Sequence, residues 1–219
     1  MIPLCVPNIN GNEWEYVREC LDTGWVSSAG GFVSKFEDEI KKYTGSQYAI
    51  ACVNGTSALQ VSLRLVGVEQ GDEVIVPTLT FIAPVNSIIY NNATPIFMDV
   101  DKYYNIDVSK TISFLKNETV FQNGFTYNKK TKNCIRAIIP VHMYGNAVDL
   151  GELINLCSSM NIKVVEDASE SLGTFLKRDK DDPSHTGTFG EIGCLSFNGN
   201  KMITTGGGGM ILTNDNQLA

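Results

Sequence analysis

Short apolar runs alternate with amphipathic stretches along the chain from Tyr48 onward. Seven of these runs predict β-strands, at residues 48–53, 73–77, 95–100, 135–141, 162–166, 193–197 and 209–213. Four stretches with helical spacing of apolar residues lie between the early runs, at residues 57–66, 81–91, 109–115 and 149–160. The run AIIPV is apolar throughout, and IKVVE has apolar residues at the consecutive positions Val164 and Val165, as in strands that are buried on both faces. Because such strands alternate with helices, the pattern predicts an α/β fold with a mostly parallel central sheet.

Two further helices are predicted before the first strand. Asn10 is in position to cap a helix on which Trp14 and Leu21 share one face. A second amphipathic stretch follows the loop GWVSSAG. We therefore expect an N-terminal helix and loop in residues 1–30, followed by one large domain in residues 31–219.

Two segments do not follow this alternation. Residues 117–133 end in the polar stretch TYNKKTKN, lack apolar periodicity and are interpreted as a surface insertion in the large domain. Near the C-terminus, Asn214 or Asp215 offers a helix cap, but the sequence stops within the first turn. Since a domain rarely ends one turn into a helix, we expect these residues to be a fragment of a longer polypeptide.

The charge and the cysteine pattern exclude several classes of partner. The 219 residues include 17 Lys and Arg against 24 Asp and Glu, a net charge of −7 without any block of basic residues. We therefore expect neither nucleic acid nor a membrane as a partner. No basic leader begins the chain, and no apolar run approaches the length of a bilayer span. The six cysteines are scattered without a CxxC motif, which predicts reduced thiols, no metal site and a cytoplasmic protein.

The residues after the first predicted strand are typical of an anion site. The sequence NGTSAL opens a predicted helix, whose N-terminus offers free backbone N–H groups and a partial positive charge. Gly55 lets the backbone approach a ligand closely, while Thr56 and Ser57 add hydroxyl donors. The alternative is an ordinary strand–turn–helix in which Thr56 or Ser57 is the cap.

Two further candidates lie where later strands end. Asp167 closes the apolar run VVED, at the edge of the sheet where ligands bind in open α/β folds. The alternative is that Asp167 caps the next turn. Lys201 follows another predicted strand and precedes a run of four glycines. A lysine becomes a nucleophile at neutral pH when it is desolvated or lies beside a cation, whereas a loop lysine is ordinarily a solvated surface charge.

Together these three features predict a site for pyridoxal phosphate. A lysine forms a Schiff base with this cofactor, a carboxylate keeps its ring nitrogen protonated, and a helix N-terminus holds its phosphate. Phe81, just beyond the strand EVIVP, is placed to stack on the ring. The chain contains neither a GxGxxG dinucleotide fingerprint nor a GxxxxGK nucleotide loop.

Motifs along almost the whole chain resemble those of one enzyme family. They are GWVSSAG, FEDEI, NGTSALQ, GDEVIVPTLTFIA, PVHMYG, VVEDASESLG, GTFGEIGCLSFNGNK and TTGGGGM, in the family's order. On these motifs the chain is identified as a member of the DegT/DnrJ/EryC1/StrS family of pyridoxal-phosphate-dependent sugar aminotransferases. The resemblance implies the large domain of the aspartate aminotransferase-like fold (fold-type I), truncated before the C-terminal small domain.

The resemblance also implies a role for each matching residue. Lys201 would bind the cofactor covalently and move the proton from the substrate Cα, and Asp167 would pair with the ring nitrogen. Further cofactor contacts are implied for Gly55, Thr56, Ser57 and Ser196 at the phosphate, for Phe81 on the ring face, and for Asn198. Glu170 stands where many relatives have Gln beside the cofactor's 3-oxygen, so it adds a negative charge there.

The family transfers an amino group, commonly from glutamate, to a ketone on a nucleotide-linked deoxysugar. The variant SFNGNK and the insertion at 117–133 resemble the aminotransferases of legionaminic acid biosynthesis. The implied substrate is a UDP- or GDP-linked 4-keto-6-deoxy-N-acetylhexosamine, aminated at C4. Trp25, Ser27 and His185 are candidate substrate contacts, and a homodimer is expected for the full-length protein.

Two alternatives to an aminotransferase remain open at this point. The sugar 3-dehydratases of the same family replace the lysine with histidine, and Lys201 disfavours that branch. A non-catalytic relative that serves as a binding or regulatory module is the other alternative. His142 and Tyr144, in PVHMYG at a strand end, are interpreted as structural turn residues; the alternative is that they approach the cofactor.

Overall fold

The computed structural model describes residue 2 and residues 6–177 and 183–219. The described residues form six α-helices: α1 Glu13–Thr23, α2 Gly31–Thr44, α3 Gly55–Leu65, α4 Ile82–Tyr90, α5 Val108–Glu118 and α6 Gly151–Ser159. They also form β1 Tyr48–Cys52, β2 Glu73–Pro77, β3 Thr94–Met98, β4 Thr119–Gln122, β5 Phe125–Asn128, β6 Ile135–Ile138, β7 Lys163–Asp167, β8 Phe175–Leu176, β9 Ser184–His185, β10 Ile192–Ser196 and β11 Gly209–Thr213. A 3₁₀ turn at Met143–Gly145 lies between β6 and α6.

Seven of these strands make one central sheet, in the order β1-β11-β10-β7-β6-β2-β3. Strands β10, β7, β6, β2 and β3 pair in parallel, while β11 is antiparallel to both of its neighbours. Each sheet strand overlaps one of the seven predicted apolar runs. The predicted α/β class and the mostly parallel sheet are therefore confirmed.

Alternate residues of the sheet strands enter two different apolar clusters, one on each face. Val74, Val76 and Val165 pack with residues of α3 and α4, such as Leu59 and Ile88. Their neighbours Ile75 and Val164 pack on the opposite face with residues of α5 and α6. This division explains why apolar residues occupy consecutive rather than only alternate positions in the central strands.

The N-terminal helices differ in how they meet this core. Phe36 and Ile40 of α2 pack in a third apolar cluster, where the rings of Phe36 and Phe197 lie 4.8 Å apart. Helix α1 buries none of its residues, and its apolar face stays exposed. The expectation that Asn10 caps α1 is wrong, because the helix begins after Asn12, whose carbonyl accepts the Tyr16 N–H.

The polar segment 117–133 contains the antiparallel hairpin of β4 and β5. Thr126 Oγ1 donates to the Met160 carbonyl over 2.6 Å, and Asn128 Nδ2 donates to Glu73 Oε2 over 2.9 Å. The buried side chains of this hairpin are polar, which is why its sequence shows no apolar periodicity. Within the described part of the chain, no helix is long and apolar enough to cross a membrane.

Candidate active site

A cavity of about 490 Å³ lies at the carboxyl edge of the sheet. Residues that follow β2, β6, β7 and β10 line it together with the N-terminus of α3, as expected for a ligand site in an open α/β fold. Eight sequence-predicted residues line this one cavity: Gly55, Thr56, Phe81, Asp167, Glu170, Ser196, Asn198 and Lys201. Positions up to 146 residues apart in the chain are thus brought to one place by the parallel sheet.

The N-terminus of α3 opens into the cavity directly after β1. Asn54 is the cap, since its Oδ1 accepts the Ser57 N–H over 2.8 Å, so the interpretation of Thr56 or Ser57 as the cap is wrong. The amides of Gly55 and Thr56 are left at the first turn for an anion. Ser57 follows on the helix but does not line the cavity.

Gly55 is required by a close approach to the end of β10. A Cβ at this position would lie 2.9 Å from the Ser196 Cβ and 3.2 Å from the Ser169 Oγ. Any side chain would therefore push the helix away from the strand. The contact brings the Ser196 hydroxyl beside the helix N-terminus, so backbone amides and a side-chain donor converge on one spot.

Asp167 ends β7 with its carboxylate at the cavity wall. Its side chain is buried, and Oδ1 accepts the Ser169 N–H over 3.0 Å. Burial raises the pKa of Asp167 above its ordinary value, although the hydrogen bonds from Ser169 and the charge of Lys201 act in the opposite direction. A cation brought into contact with this carboxylate would lower the pKa and stabilise the anion.

Lys201 lies in the turn after β10, where its N–H donates to the Asn198 carbonyl over 3.0 Å. The side chain is only 13% exposed, and Nζ donates to Glu170 Oε1 over 3.0 Å. The interpretation of Lys201 as a solvated surface charge is therefore wrong. The second oxygen of Glu170, Oε2, accepts the backbone N–H of Tyr144 over 3.2 Å.

A buried carboxylate–imidazole pair lies next to Asp167. Glu166 Oε2 contacts His142 Nε2 at 2.8 Å and also accepts the Gly187 N–H, while Oε1 accepts the N–H groups of Phe189 and Gly190 at 2.7 Å each. Burial alone would raise the pKa of Glu166. The hydrogen bond from His142 and the backbone donors outweigh burial and lower this pKa.

The tautomer of His142 follows from its second ring nitrogen. Nδ1 accepts the Val148 N–H over 3.1 Å, so the ring proton is on Nε2 and is donated to Glu166. The backbone N–H of His142 donates to the carbonyl of Asp167. The pair thereby ties the segment after β6 to the end of β7 and to the turn at Gly187–Gly190.

Phe81 and Asn198 also border the cavity. Phe81 is 72% exposed and directly precedes α4, so its ring has a free face at the cavity. Asn198 Nδ2 donates to Asn200 Oδ1 over 3.2 Å within the turn that carries Lys201.

The three candidate substrate residues do not line the cavity. Trp25 and Ser27 lie exposed in the loop before α2. His185 is fully buried, so its side chain is not accessible to a substrate. Its Nε2 accepts the Gly173 N–H over 2.9 Å, Nδ1 contacts the Thr186 carbonyl, and the rings of Tyr43 and Phe175 pack against it.

Two of the cavity-lining residues that sequence reasoning did not assign to the site lie in PVHMYG. His142 and Tyr144 are turn residues in the sequence interpretation, but both belong to the cavity wall. The available signal is their position: PVHMYG follows soon after β6, which is the parallel neighbour of the strand that ends in Asp167. Residues after neighbouring parallel strands meet at the same edge of the sheet.

Comparison with known proteins identifies relatives over nearly the whole chain. The family model "DegT/DnrJ/EryC1/StrS aminotransferase family" matches residues 7–219. GDP-perosamine synthase from Escherichia coli O157:H7 is 43% identical over 217 residues, which are 99% of this chain and 54% of that protein.

Solved structures agree with this match. The aminotransferase from Psychrobacter cryohalolentis superposes with a TM-score of 0.81 at 33% identity, over 97% of this chain and 49% of its own. Spr1654 from Streptococcus pneumoniae, a putative sugar aminotransferase in its PMP form, gives a TM-score of 0.82 at 25% identity, over 100% of this chain and 53% of its own. The chain spans about half the length of the relatives it matches.

The family match and the cavity support the same assignment. The matched residues include every motif that lines the cavity, from the N-terminus of α3 to the turn that carries Lys201. Aminotransferases of this family depend on pyridoxal phosphate. The chain belongs to the DegT/DnrJ/EryC1/StrS aminotransferase family.

Proposed function

We propose that the protein is a pyridoxal-phosphate-dependent aminotransferase that acts on a nucleotide-linked keto-deoxysugar. The observation that carries the proposal is the convergence of three chemically distinct groups on one cavity: a shielded lysine, a buried carboxylate and an open helix N-terminus. Each group suits a different part of the cofactor. When bound, pyridoxal phosphate supplies an electron sink for the carbon that carries the amino group.

The helix N-terminus and its neighbours suit the phosphate. α3 is eleven residues long, so the partial positive charge of its N-terminus is fully developed. The amides of Gly55 and Thr56 and the hydroxyl of Ser196 would donate to the phosphate oxygens. Ser57, whose N–H already serves Asn54, would have no backbone donor left for this purpose.

Asp167 suits a protonated ring nitrogen. Its carboxylate is buried beside the cavity and its pKa is raised by burial, so it gains most from a cationic hydrogen-bond donor. Asp167 would therefore hold the ring in its protonated form. Phe81 would cover one face of the ring, since its exposed side chain borders the cavity.

Lys201 suits both covalent attachment and proton movement. Its Nζ lies within the cavity wall, shielded from solvent and held by Glu170 Oε1. From this position the amine would bond to the cofactor, and once released it would carry a proton to and from the substrate Cα. Glu170 would orient the amine during both events.

The substrates that we propose are more specific than the family assignment alone implies. We propose glutamate as the amino donor, and C4 of a UDP- or GDP-linked 4-keto-6-deoxy-N-acetylhexosamine as the acceptor. The similarity to a GDP-perosamine synthase supports a nucleotide-sugar acceptor. A homodimer stays a prediction for the whole protein.

Cofactor fixation tests the proposal directly. The protein is incubated with pyridoxal phosphate, reduced with borohydride and digested, and the labelled peptide is mapped. We expect the label on Lys201 and an absorption band of the bound cofactor before reduction. Lys201→Ala should lose both, whereas Lys41→Ala, which removes an exposed lysine at the end of α2, should be labelled like the wild type.

The outcomes separate this proposal from its alternative. Equal labelling of Lys201→Ala would overturn the assigned role of Lys201. No labelling of a folded wild-type protein would favour a non-catalytic relative. Where the label is on Lys201, formation of 2-oxoglutarate from glutamate with a UDP- or GDP-linked keto-sugar identifies the acceptor.

A further inference from the structure

The backbone at the mouth of the cavity contains an unusual conformation. Tyr144 has φ 52° and ψ 27°, in the left-handed region that is costly for a residue with a Cβ. Among the described non-glycine residues with positive φ, three are asparagines, which tolerate this region. Tyr104 and Lys132 share the conformation but do not line the cavity, whereas Tyr144 does.

Packing of the side chain does not explain this strain. The Tyr144 side chain is 78% exposed, so the conformation gains little burial for its ring. The turn is held through its backbone instead. Tyr144 N–H donates to Glu170 Oε2, and the carbonyl of the next residue, Gly145, accepts from Thr174 Oγ1 over 2.9 Å.

The same carboxylate also holds the lysine. Glu170 accepts from Lys201 Nζ with one oxygen and from the Tyr144 backbone with the other. The strained turn is therefore fixed relative to the amine, at a distance set by one side chain. Strain that persists without burial and is fixed by a residue of the site is typical of a functional position.

The position of the Tyr144 ring indicates what it contacts. Tyr144 borders the cavity, and it also borders an adjoining apolar groove lined by Phe36, Tyr43 and Leu172. Tyr144 therefore stands where the cavity and the groove meet. The cavity has a second exposed aromatic ring, Phe81, which the proposed function assigns to the cofactor.

We propose that Tyr144 is a substrate-contacting residue for the sugar of the nucleotide sugar. Its ring packs against the apolar face of the sugar, and its phenol hydroxyl bonds to a sugar hydroxyl or amide group. Glu170 is a positioning residue for this contact, because it holds the turn that presents the ring. The inference rests on the proposed function, whose test at Lys201 is independent of Tyr144.

Equilibrium binding of two sugar nucleotides tests the inference. GDP-mannose and UDP-N-acetylglucosamine are titrated by calorimetry into the cofactor-loaded protein and into three variants. We expect Tyr144→Ala to weaken the better-bound probe tenfold or more, and Tyr144→Phe to weaken it two- to fivefold. Tyr104→Ala is the matched control, since Tyr104 is also left-handed and exposed but lies away from the cavity, and it should change affinity less than twofold.

Two results would overturn the inference. One is an affinity of Tyr144→Ala within twofold of the wild type, and the other is no binding of either probe to the wild type. Cofactor fixation on Lys201 is measured on the same samples. If fixation persists while Tyr144→Ala binds the probe normally, the inference alone fails. If Lys201 is not labelled at all, the proposed function fails, and the inference fails with it.

Discussion

Glu166→Gln removes a buried charge while keeping the size of the side chain. In the wild type, four donors converge on the two carboxylate oxygens: the backbone N–H groups of Gly187, Phe189 and Gly190 and the ring N–H of His142. A glutamine has one acceptor oxygen and one NH₂ group. If the oxygen keeps the Phe189 and Gly190 donors, the NH₂ group faces two other donors.

His142 cannot compensate by moving its ring proton. If the proton moved to Nδ1, Nε2 would accept from the glutamine, but the Val148 N–H would lose its acceptor. The substitution therefore leaves at least two buried donors unpaired in either tautomer. At about 1–3 kcal/mol for each unpaired buried donor, the expected loss in the free energy of unfolding is about 2–6 kcal/mol.

Urea unfolding followed by circular dichroism measures this loss, provided that the slope m is unchanged. Glu191→Gln is the matched control, because Glu191 Oε2 accepts the Val164 N–H and the ion pair of Glu191 with Lys163 is long, at 3.7 Å, and partly exposed. A glutamine oxygen can still accept that N–H, so we expect a loss below about 1 kcal/mol. Equal stability of the two variants would refute the reasoning.

The difference in unfolding free energy between the wild type and Glu166→Gln should change with pH in a defined direction. Burial would raise the pKa of Glu166, but the His142 and backbone donors lower it below its ordinary value. A carboxyl with a lowered folded pKa stabilises the protein above its unfolded pKa of about 4.3, and this contribution is lost as the pH falls through the folded pKa. The stability gap between wild type and Glu166→Gln should therefore narrow below about pH 4, and a constant gap would contradict the assignment.

Two further substitutions and one chemical modification have expected outcomes. Gly209→Ala should destabilise the protein by about 3 kcal/mol or more in urea unfolding. The added Cβ would lie 2.4 Å from the backbone carbonyl carbon of Asn54, and the backbone there cannot move aside without distorting the start of α3. Asn54→Ala removes the α3 cap and should cost about 1 kcal/mol in the same assay, and it should also weaken retention of pyridoxal phosphate on dialysis. Burial raises the pKa of Cys157 to about 12 and raises that of Cys194 as well, so a thiol reagent should modify the half-buried Cys20 under native conditions before either of them.

The sheet was predictable because its strands are buried on both faces. In IKVVE the consecutive residues Val164 and Val165 must both be apolar, because they enter clusters on opposite sides, and that requirement is visible in the sequence alone. The hairpin of β4 and β5 was not visible, because its inward side chains are polar. Thr126 and Asn128 satisfy their hydrogen bonds with Met160 and Glu73, and those partners lie more than thirty residues away.

The same distinction applies to the site. The positions of some of its residues follow from the local sequence, whereas the positions of others depend on residues that are distant in the chain. Lys201 and Asp167 stand in local motifs: Asp167 ends β7 and Lys201 lies in the turn after β10, so the strand directions fix the edge of the sheet at which both lie. His185 lies two residues before the motif GTFGEIG, and its burial depends on packing against Tyr43 and Phe175, which no local pattern records.

The strained turn at Tyr144 shows that the position of a segment at the end of a strand indicates a functional role better than its turn sequence does. The residues of PVHMYG are fully accounted for by a tight turn, so the sequence of this segment alone does not indicate a functional role. Its position is different: it follows β6, the parallel neighbour of β7, and therefore must reach the edge where Asp167 ends. Only the fold reveals that Glu170 holds both this turn and Lys201. A residue that is strained, exposed and tied to the lysine by one carboxylate is better explained by ligand binding than by folding.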